Sequence, residues 1–213
     1  MYLSQVEIDT QNRRKIRDLS HLGAYHYWVE QSFPDERGGE RTRKLWRIDT
    51  LKGRRYLLVV SPTKPDLTRL EQYGVEGSGQ TKDYESFLET LKEGTRARFR
   101  VTLNPVISVT EAGGARGRVK PHVTTAHQTQ FLLDRSLKNG FSLGEQDFTI
   151  TERGFVPLKK ANEKPLELSR VTYEGVLTIT DREQFIKTLT QGFGKKKAYG
   201  FGMMTVIPEG RDE

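Results

Sequence analysis

Hydrophobic and polar residues along the first half of the chain follow two different periods. They alternate over residues 2–8, which predicts an opening strand. Apolar residues then recur every three or four positions over residues 12–33, which predicts a helix that Gly23 kinks or splits and Pro34 ends. Further strands are predicted at residues 44–50, 55–61 and 95–103, with a loop over 62–79 and a second helix from about residue 83 that stops at Gly94.

The same order of elements recurs in the second half. Strands are predicted at residues 106–110, 148–151, 155–158, 170–180 and 203–207, and helices at 125–138 and after a capping box at Thr180-Asp-Arg-Glu183. The repeated order β-α-β-β-α-β is that of a ferredoxin-like unit. The sequence therefore predicts an α+β protein of tandem ferredoxin-like (RRM-like) domains with antiparallel sheets, one over residues 1–94 and one over residues 95–213.

Composition narrows the class of protein. The 213 residues include 35 Lys+Arg and 28 Asp+Glu, which gives a formal net charge of +7 and favours a polyanionic partner. The absence of cysteine excludes disulfide frameworks, zinc–thiolate sites, iron–sulfur clusters and thiol catalysis. The longest apolar run is about five residues, against roughly 20 in a membrane-spanning helix, and the N-terminus lacks the order of a signal peptide. We therefore expect a soluble cytoplasmic protein with no membrane partner.

Four histidines are the first candidates for chemistry, at positions 21, 26, 122 and 127. No pair has the H-E-x-x-H or H-x-H spacing of a metal site, so the sequence indicates no metal centre. His26 falls on the apolar stripe of the first predicted helix, where a titratable group faces either the core or a cleft. It is therefore either a buried, hydrogen-bonded core residue or a general acid or base, since proton transfer near neutral pH needs a pKa near 7.

A glycine-rich segment at residues 192–202 reads G-F-G-K-K-K-A-Y-G-F-G. Glycines let a backbone approach a phosphate chain closely, and lysines supply cations. The segment fits neither the P-loop nor the dinucleotide-binding motif. It is either a flexible turn with solvated lysines or a phosphate-binding loop, with Lys195, Lys197, Gly200 and Gly202 as its candidate binding residues. Lys197 either contacts a phosphate or braces the loop.

Two further basic clusters fall in predicted hairpin turns. Arg116, Arg118 and Lys120 form one cluster, and Lys159 and Lys160 form the other. Each is either an ordinary solvated face or a basic finger that enters the deep A-form groove of RNA or lies against its phosphates. No strand carries the aromatic pair of an RNP motif, so base stacking in the style of the RNA-recognition motif is not expected.

Taken together, these segments resemble the CasE family of CRISPR-associated endoribonucleases, the repeat-processing subunit of the type I-E Cascade complex. The resemblance runs from end to end and is strongest near the C-terminus. It is carried by the opening Met1-Tyr-Leu-Ser, the His26 helix ending in Phe33-Pro34, the segment Phe99-Arg-Val-Thr-Leu-Asn-Pro105, the segment Tyr173-Glu-Gly-Val-Leu-Thr-Ile-Thr180, and the glycine pattern at positions 192, 194, 200 and 202 with Lys197.

The resemblance implies a tandem ferredoxin-like fold and metal-independent cleavage of the precursor CRISPR transcript beside the stem-loop of each repeat. The product stays bound as guide RNA, and the partners are the repeat stem-loop and other Cascade subunits, with no small-molecule cofactor. His26 matches the catalytic histidine of the family, and Lys159 and Lys160 match a basic hairpin that grips the RNA stem. A tyrosine usually lies three residues before that histidine, where this chain has Gly23. Either the helix is remodelled around Gly23 or the contribution of the tyrosine is dispensable.

Such cleavage is chemically coherent without a metal. The 2′-hydroxyl of RNA attacks the neighbouring phosphate, which requires a base, an acid and cations for the charge of the pentacoordinate phosphate. A histidine and nearby lysines supply these groups, with the role of His26 as acid or base left open. The alternative is a non-catalytic subunit that only holds guide RNA, and a third interpretation is a nucleotide-binding regulator that uses the glycine-rich segment.

Overall fold

The first half of the chain folds into a four-stranded antiparallel sheet with helices packed on it. The computed structural model describes residues 1–36, 41–109, 118–160 and 163–210. The elements of this half are β1 (Tyr2–Glu7), α1 (Arg13–Ile16), α2 (Leu22–Gln31), β2 (Leu45–Leu51), β3 (Arg54–Ser61), α3 (Leu67–Leu70), β4 (Gln80–Asp83) and α4 (Glu85–Glu89). The sheet order is β2-β3-β1-β4, the arrangement that a ferredoxin-like unit requires.

The second half repeats this arrangement with an added hairpin. Its elements are β5 (Arg96–Leu103), β6 (Val106–Val109), β7 (Arg118–Pro121), α5 (Thr125–Ser136), β8 (Phe141–Ser142), β9 (Phe148–Leu158), β10 (Leu166–Ile179), α6 (Arg182–Gln191) and β11 (Met204–Pro208). The sheet order is β11-β5-β10-β8, with β9 also paired to β10, while β6 and β7 form a separate hairpin. The predicted α+β fold with tandem ferredoxin-like units and antiparallel sheets is confirmed.

Two predictions about the first half were wrong. The helix predicted over residues 12–33 is two helices, because the chain turns between α1 and α2 and His21 caps α2 at its N-terminus. The fourth strand of the first sheet is β4, which directly follows the predicted loop, whereas residues 95–103 form the first strand of the second sheet. The sequence of β4 shows little apolar pattern, because this short edge strand consists of polar and mostly exposed residues.

Three details of the second half also differ from prediction. Residues 148–158 form one strand, because β9 pairs with β10 along its whole length, with a bulge beside Thr172. Short β8 was not predicted. The cap of α6 is Asp181, whose side chain accepts a hydrogen bond from the backbone N–H of Gln184 at 2.9 Å, so Thr180 is not the cap. The Gly/Arg-rich hairpin turn that the sequence predicts at residues 113–120 lies mostly outside the described residues, and its described end belongs to strand β7 instead.

The largest hydrophobic core joins the two halves. Leu45 and Val60 from the first sheet pack in one cluster with Leu103 and Met203 from the second. Beside it, Arg47 is 2% exposed, and its guanidinium binds Asp49 and donates to backbone carbonyls of the second half. A buried cation needs such partners. We propose that residues 1–94 and 95–213 are two domains, each with its own sheet, held together by this shared core.

None of the helices in the described part of the chain has both the length and the apolar character to cross a bilayer.

Candidate active site

Helix α2 places His26 at the edge of its buried face. Tyr25, Trp28 and Val29 point into the core of the first half, and the ring of Tyr25 stacks on Trp46 of β2 with centroids 5.9 Å apart. This packing fixes the rotation of α2 about its own axis. As a result, the neighbouring side chain of His26 emerges half-buried beside the sheet rather than inside it. Tyr25 faces the core and takes no part in the site.

The glycine-rich segment reaches His26 because β2 holds it. The indole N–H of Trp46 donates to the backbone carbonyl of Ala198 at 3.0 Å. Gly200 has φ +81°, and a Cβ at this position would lie 2.6 Å from the Trp46 ring, so only glycine fits here. The short 3₁₀ turn Lys197–Tyr199 is thereby pressed onto α2, and the ring centroids of Tyr199 and His26 lie 5.2 Å apart.

The hairpin formed by β9 and β10 closes the other side of the site. Leu158, Leu168 and Phe201 form a small buried cluster against which Leu22 and Tyr199 pack. This cluster brings the end of β9 over the first turn of α2. Lys159 and Lys160, the next two residues of the chain, therefore lie beside the histidine helix, as part of the lining of the His26 pocket.

Gly23 lies directly beneath this hairpin. A Cβ built on Gly23 would be only 2.2 Å from the backbone carbonyl oxygen of Lys159, which leaves no room for any side chain. Helix α2 is not kinked at Gly23, because it begins one residue earlier at Leu22. The absence of a tyrosine at this position therefore accompanies a close approach between α2 and the backbone of the hairpin.

The pocket around His26 is large and basic. It has a volume of about 680 Å³ and is lined by His21, His26, Tyr27, Lys159, Lys160 and Tyr199, among others. The Lys160 ammonium lies 5.9 Å from the centroid of the Tyr199 ring and pairs with Glu163 at 3.1 Å. An adjoining pocket of about 360 Å³ continues past His26 to Glu30, Arg41 and Lys44. His26 thus lies where the two pockets meet.

The electrostatic surroundings of His26 favour a neutral imidazole. Burial lowers its pKa below the usual 6.5, and the cations of Arg41 and Lys44 act in the same direction. The carboxylate of Glu30 and a hydrogen bond to the Ala198 carbonyl oppose this shift. Glu30 is held in place by Lys44, whose side chain is 1% exposed and whose ammonium lies 3.3 Å from the Glu30 carboxylate. A neutral imidazole carries one N–H donor and one nitrogen with a free lone pair, so His26 in this form is able to accept a proton.

The structure places the other predicted binding residues in different surroundings. Lys197 folds back onto the glycine-rich segment and donates to the carbonyl of Gly192 at 3.3 Å, which is the geometry of a brace. Gly202 fastens the same segment to β5 through a 2.8 Å hydrogen bond from its N–H to the Thr102 carbonyl. Lys195 donates to Ser108 of β6 at 3.3 Å and lines a separate pocket.

The basic hairpin of β6 and β7 lies beyond Lys195. Arg118 and Lys120 are exposed on β7, and Arg116 lies outside the described residues. The contact between Lys195 and Ser108 continues a basic surface from the glycine-rich segment to this hairpin. The structure therefore brings Lys159 and Lys160 to His26 but places Lys195, Arg118 and Lys120 further along the surface.

Sequence reasoning missed several residues of the pocket. Tyr199 was not considered, because a tyrosine among glycines has no catalytic spacing. His21 was counted with the other histidines but was given no role. Glu30 could have been found from the sequence, because it follows His26 by four positions and residues four apart on a helix are neighbours. Arg41 follows a segment that the structure does not describe, and its proximity to His26 depends on the tertiary fold. Within the described ranges, no three His, Asp or Glu side chains are grouped so as to hold a metal ion.

Comparison with known proteins identifies the family. A family model described as "CRISPR associated protein" matches residues 1–208. The chain belongs to this family. It is 29% identical over 219 residues to the CRISPR-associated endoribonuclease Cse3 of Thermus thermophilus, an alignment that covers 98% of this chain and 100% of the relative.

Two further matches extend the comparison of this CRISPR-associated protein. It is 29% identical over 125 residues to the CRISPR system Cascade subunit CasE of Escherichia coli, covering 55% of this chain and 61% of that one. Among solved structures, Thermus thermophilus Cse3 bound to an RNA representing a pre-cleavage complex superposes with a TM-score of 0.80 at 26% identity, over 97% of this chain and 98% of the other. The predicted relationship to the CasE family is confirmed.

Proposed function

We propose that this chain is an endoribonuclease that cuts precursor CRISPR RNA at the repeat stem-loop and keeps the product as guide RNA within a Cascade complex. The observation that carries this proposal is the half-buried imidazole of His26 in a pocket that the cations of Lys159 and Lys160 line. The relatives support it, since one is named an endoribonuclease, one a Cascade subunit, and one solved structure holds a pre-cleavage RNA.

The shape and charge of the site suit a ribose–phosphate linkage. Phosphates are drawn to exposed ammonium groups, and Lys159 at the end of β9 is exposed. The volume of about 680 Å³ accommodates a nucleotide beside His26. The basic surface through Lys195, Arg118 and Lys120 gives the flanking RNA stem a path across the second half of the protein. These residues are proposed to position the RNA rather than to take part in the chemistry.

The proposed reaction proceeds without a metal ion. Neutral His26 removes the proton of the 2′-hydroxyl, whose oxygen forms a bond to the adjacent phosphorus while the bond from phosphorus to the 5′ oxygen breaks. The 5′ oxygen takes a proton from water, and the hydroxide left behind takes the proton back from His26, which returns to its neutral form. Lys159 and Lys160 offset the charge of the pentacoordinate phosphate. The products carry a 2′,3′-cyclic phosphate, which opens to a 3′-phosphate, and a 5′-hydroxyl.

A cleavage assay on a synthetic RNA with one CRISPR repeat and its stem-loop tests the proposal. We expect the wild-type protein to cut this RNA equally well with and without EDTA, leaving a 2′,3′-cyclic or 3′-phosphate end. His26→Ala should bind the RNA with wild-type affinity and lose cleavage by ~10²–10⁴-fold, the usual contribution of a general base. His127→Ala is the matched control, since His127 lines the separate pocket beside Lys195 and not the pocket of His26. Loss of cleavage in EDTA would contradict the metal-free reaction.

The second candidate is a non-catalytic subunit that holds guide RNA. Gly23 favours it, because the family's usual tyrosine cannot be accommodated beneath the Lys159 carbonyl. In the same assay, this candidate predicts a tightly bound but uncut hairpin for both the wild type and His26→Ala.

A further inference from the structure

His21 is a second imidazole in the pocket, and one of its nitrogens already has a structural role. The residue is the N-cap of α2, and its Nδ1 accepts a hydrogen bond from the backbone N–H of Ala24 at 3.2 Å. An N-cap side chain satisfies one of the free N–H groups at a helix start. Because Nδ1 must keep its lone pair for this bond, the single hydrogen of the neutral ring resides on Nε2. The cap therefore fixes the tautomer of His21.

The same ring faces the pocket of His26. His21 is half-buried and lines that pocket together with His26, Lys159 and Lys160. A Cβ at Gly23 would lie 3.0 Å from Nδ1 of His21 and 3.1 Å from Cε1. The imidazole thus occupies space beside the bare backbone of Gly23, under the hairpin. Across the described residues, Nε2 of His21 has no protein acceptor, so its N–H is available to a ligand in the pocket.

The surroundings of His21 keep the ring in this form. Burial lowers its pKa, and the nearby cation of Lys159 lowers it further. Protonation would also place a hydrogen on Nδ1 and break the cap of α2. At neutral pH, the pocket therefore contains an oriented N–H donor that is uncharged and is not itself a base.

We propose that His21 is a second substrate-contacting residue, whose Nε2–H donates a hydrogen bond to a non-bridging oxygen of the scissile phosphate. This inference rests on the proposed endoribonuclease function and adds a residue to it. No proton is transferred by His21. The hydrogen bond strengthens as negative charge builds on the phosphate oxygens in the transition state, as in an oxyanion hole. His26 thus removes the proton, and His21 stabilises the negative charge on the phosphate.

The substitution His21→Asn separates the cap from the donor. Asn12 caps α1 in this chain, accepting from the backbone N–H of Lys15 at 3.1 Å, so asparagine is expected to cap α2 as well. We expect His21→Asn to keep the wild-type melting temperature and RNA affinity, and to reduce single-turnover cleavage by ~10²-fold, as loss of one such donor does. His21→Ala should reduce cleavage similarly and also lower the melting temperature. Cleavage by His21→Asn at the wild-type rate would overturn the proposal and leave His21 as a helix cap only.

A second measurement does not depend on cleavage. ¹⁵N NMR of the histidine side chains should show the Nε2–H tautomer for His21, with a shift of its Nε2 signal when a repeat hairpin with a 2′-deoxy substitution at the cut site is added. That RNA cannot be cut through its 2′-hydroxyl. If the wild type cleaves no RNA, the proposed function fails, yet the shift would still support the phosphate contact. An unchanged Nε2 signal upon RNA binding would overturn the inference by itself.

Discussion

The imidazole of His26 packs against the phenol ring of Tyr199, with ring centroids 5.2 Å apart and planes inclined by 60°. These residues are far apart in the sequence, on α2 and in the glycine-rich segment. Their contact is set by the bond from Trp46 to Ala198 and by the close fit of Gly200 on the same indole. The glycines thus serve to bring a tyrosine and a backbone carbonyl to the histidine.

Tyr199 is expected to hold His26 in position through its ring. Tyr199→Phe keeps the ring and should cleave within about threefold of the wild type, whereas Tyr199→Ala should lose ~10²-fold, as small displacements of a catalytic group do. Single-turnover cleavage at saturating protein measures both rates. Equal losses in the two variants would show instead that the hydroxyl is the important group, and no loss in either would remove Tyr199 from the site.

Gly23 is expected to tolerate no side chain. In Gly23→Ala, the new methyl group would overlap the Lys159 carbonyl, so either α2 or the hairpin must shift. We expect a loss of about 1–3 kcal/mol in the free energy of unfolding, typical of overpacking, together with slower cleavage. Urea denaturation gives the first quantity. Gly154→Ala on β9 is the matched control, since no atom beyond its chain neighbours lies within 4 Å of its added Cβ, and it should not lower the stability. Identical stabilities of the two variants would contradict this prediction.

The pH dependence of cleavage should respond in opposite directions to two neighbours of His26. If neutral His26 is the base, the rate rises with pH and levels off above a pKa lower than 6.5. Glu30 raises this pKa, so Glu30→Gln should move the acidic limb of the rate profile to lower pH. Arg41 lowers it, so Arg41→Gln should move that limb to higher pH. Shifts in the same direction, or a rate that falls with pH over this range, would argue against His26 as the base.

Lys159 and Lys160 should govern the salt dependence of RNA binding. Replacing both by alanine should weaken binding and reduce the slope of log affinity against log salt by about one unit for each phosphate that the protein no longer neutralises. Filter binding over a range of salt concentrations measures this slope. Lys82→Ala is a suitable control, because β4 lies at the opposite edge of the first sheet from β2 and the glycine-rich segment. An unchanged slope in the double variant would remove this hairpin from the RNA interface.

Prediction from sequence succeeded where a pattern is local. The alternation in β1 and β5 and the apolar spacing in α5 reflect burial on one face, which each segment encodes by itself. It failed for β4 and β8, which are short and gain their strand geometry from a neighbour. It also failed at the start of α2, because His21 is an unusual cap that sequence patterns do not anticipate. Local periodicity carries no information about which strand pairs with a short segment or which side chain caps a helix.

The sequence by itself determined the ferredoxin-like repeat and the basic character of the protein, and it marked His26 and the glycine-rich segment as candidates. Only the tertiary structure decided which groups meet at the pocket. Tyr199, His21 and Lys159 line one pocket with His26 because of contacts between β2, the glycine-rich segment and the β9–β10 hairpin. The physical reason is that periodicity records which face of an element is buried, whereas the distance between two side chains on different elements depends on how those elements pack.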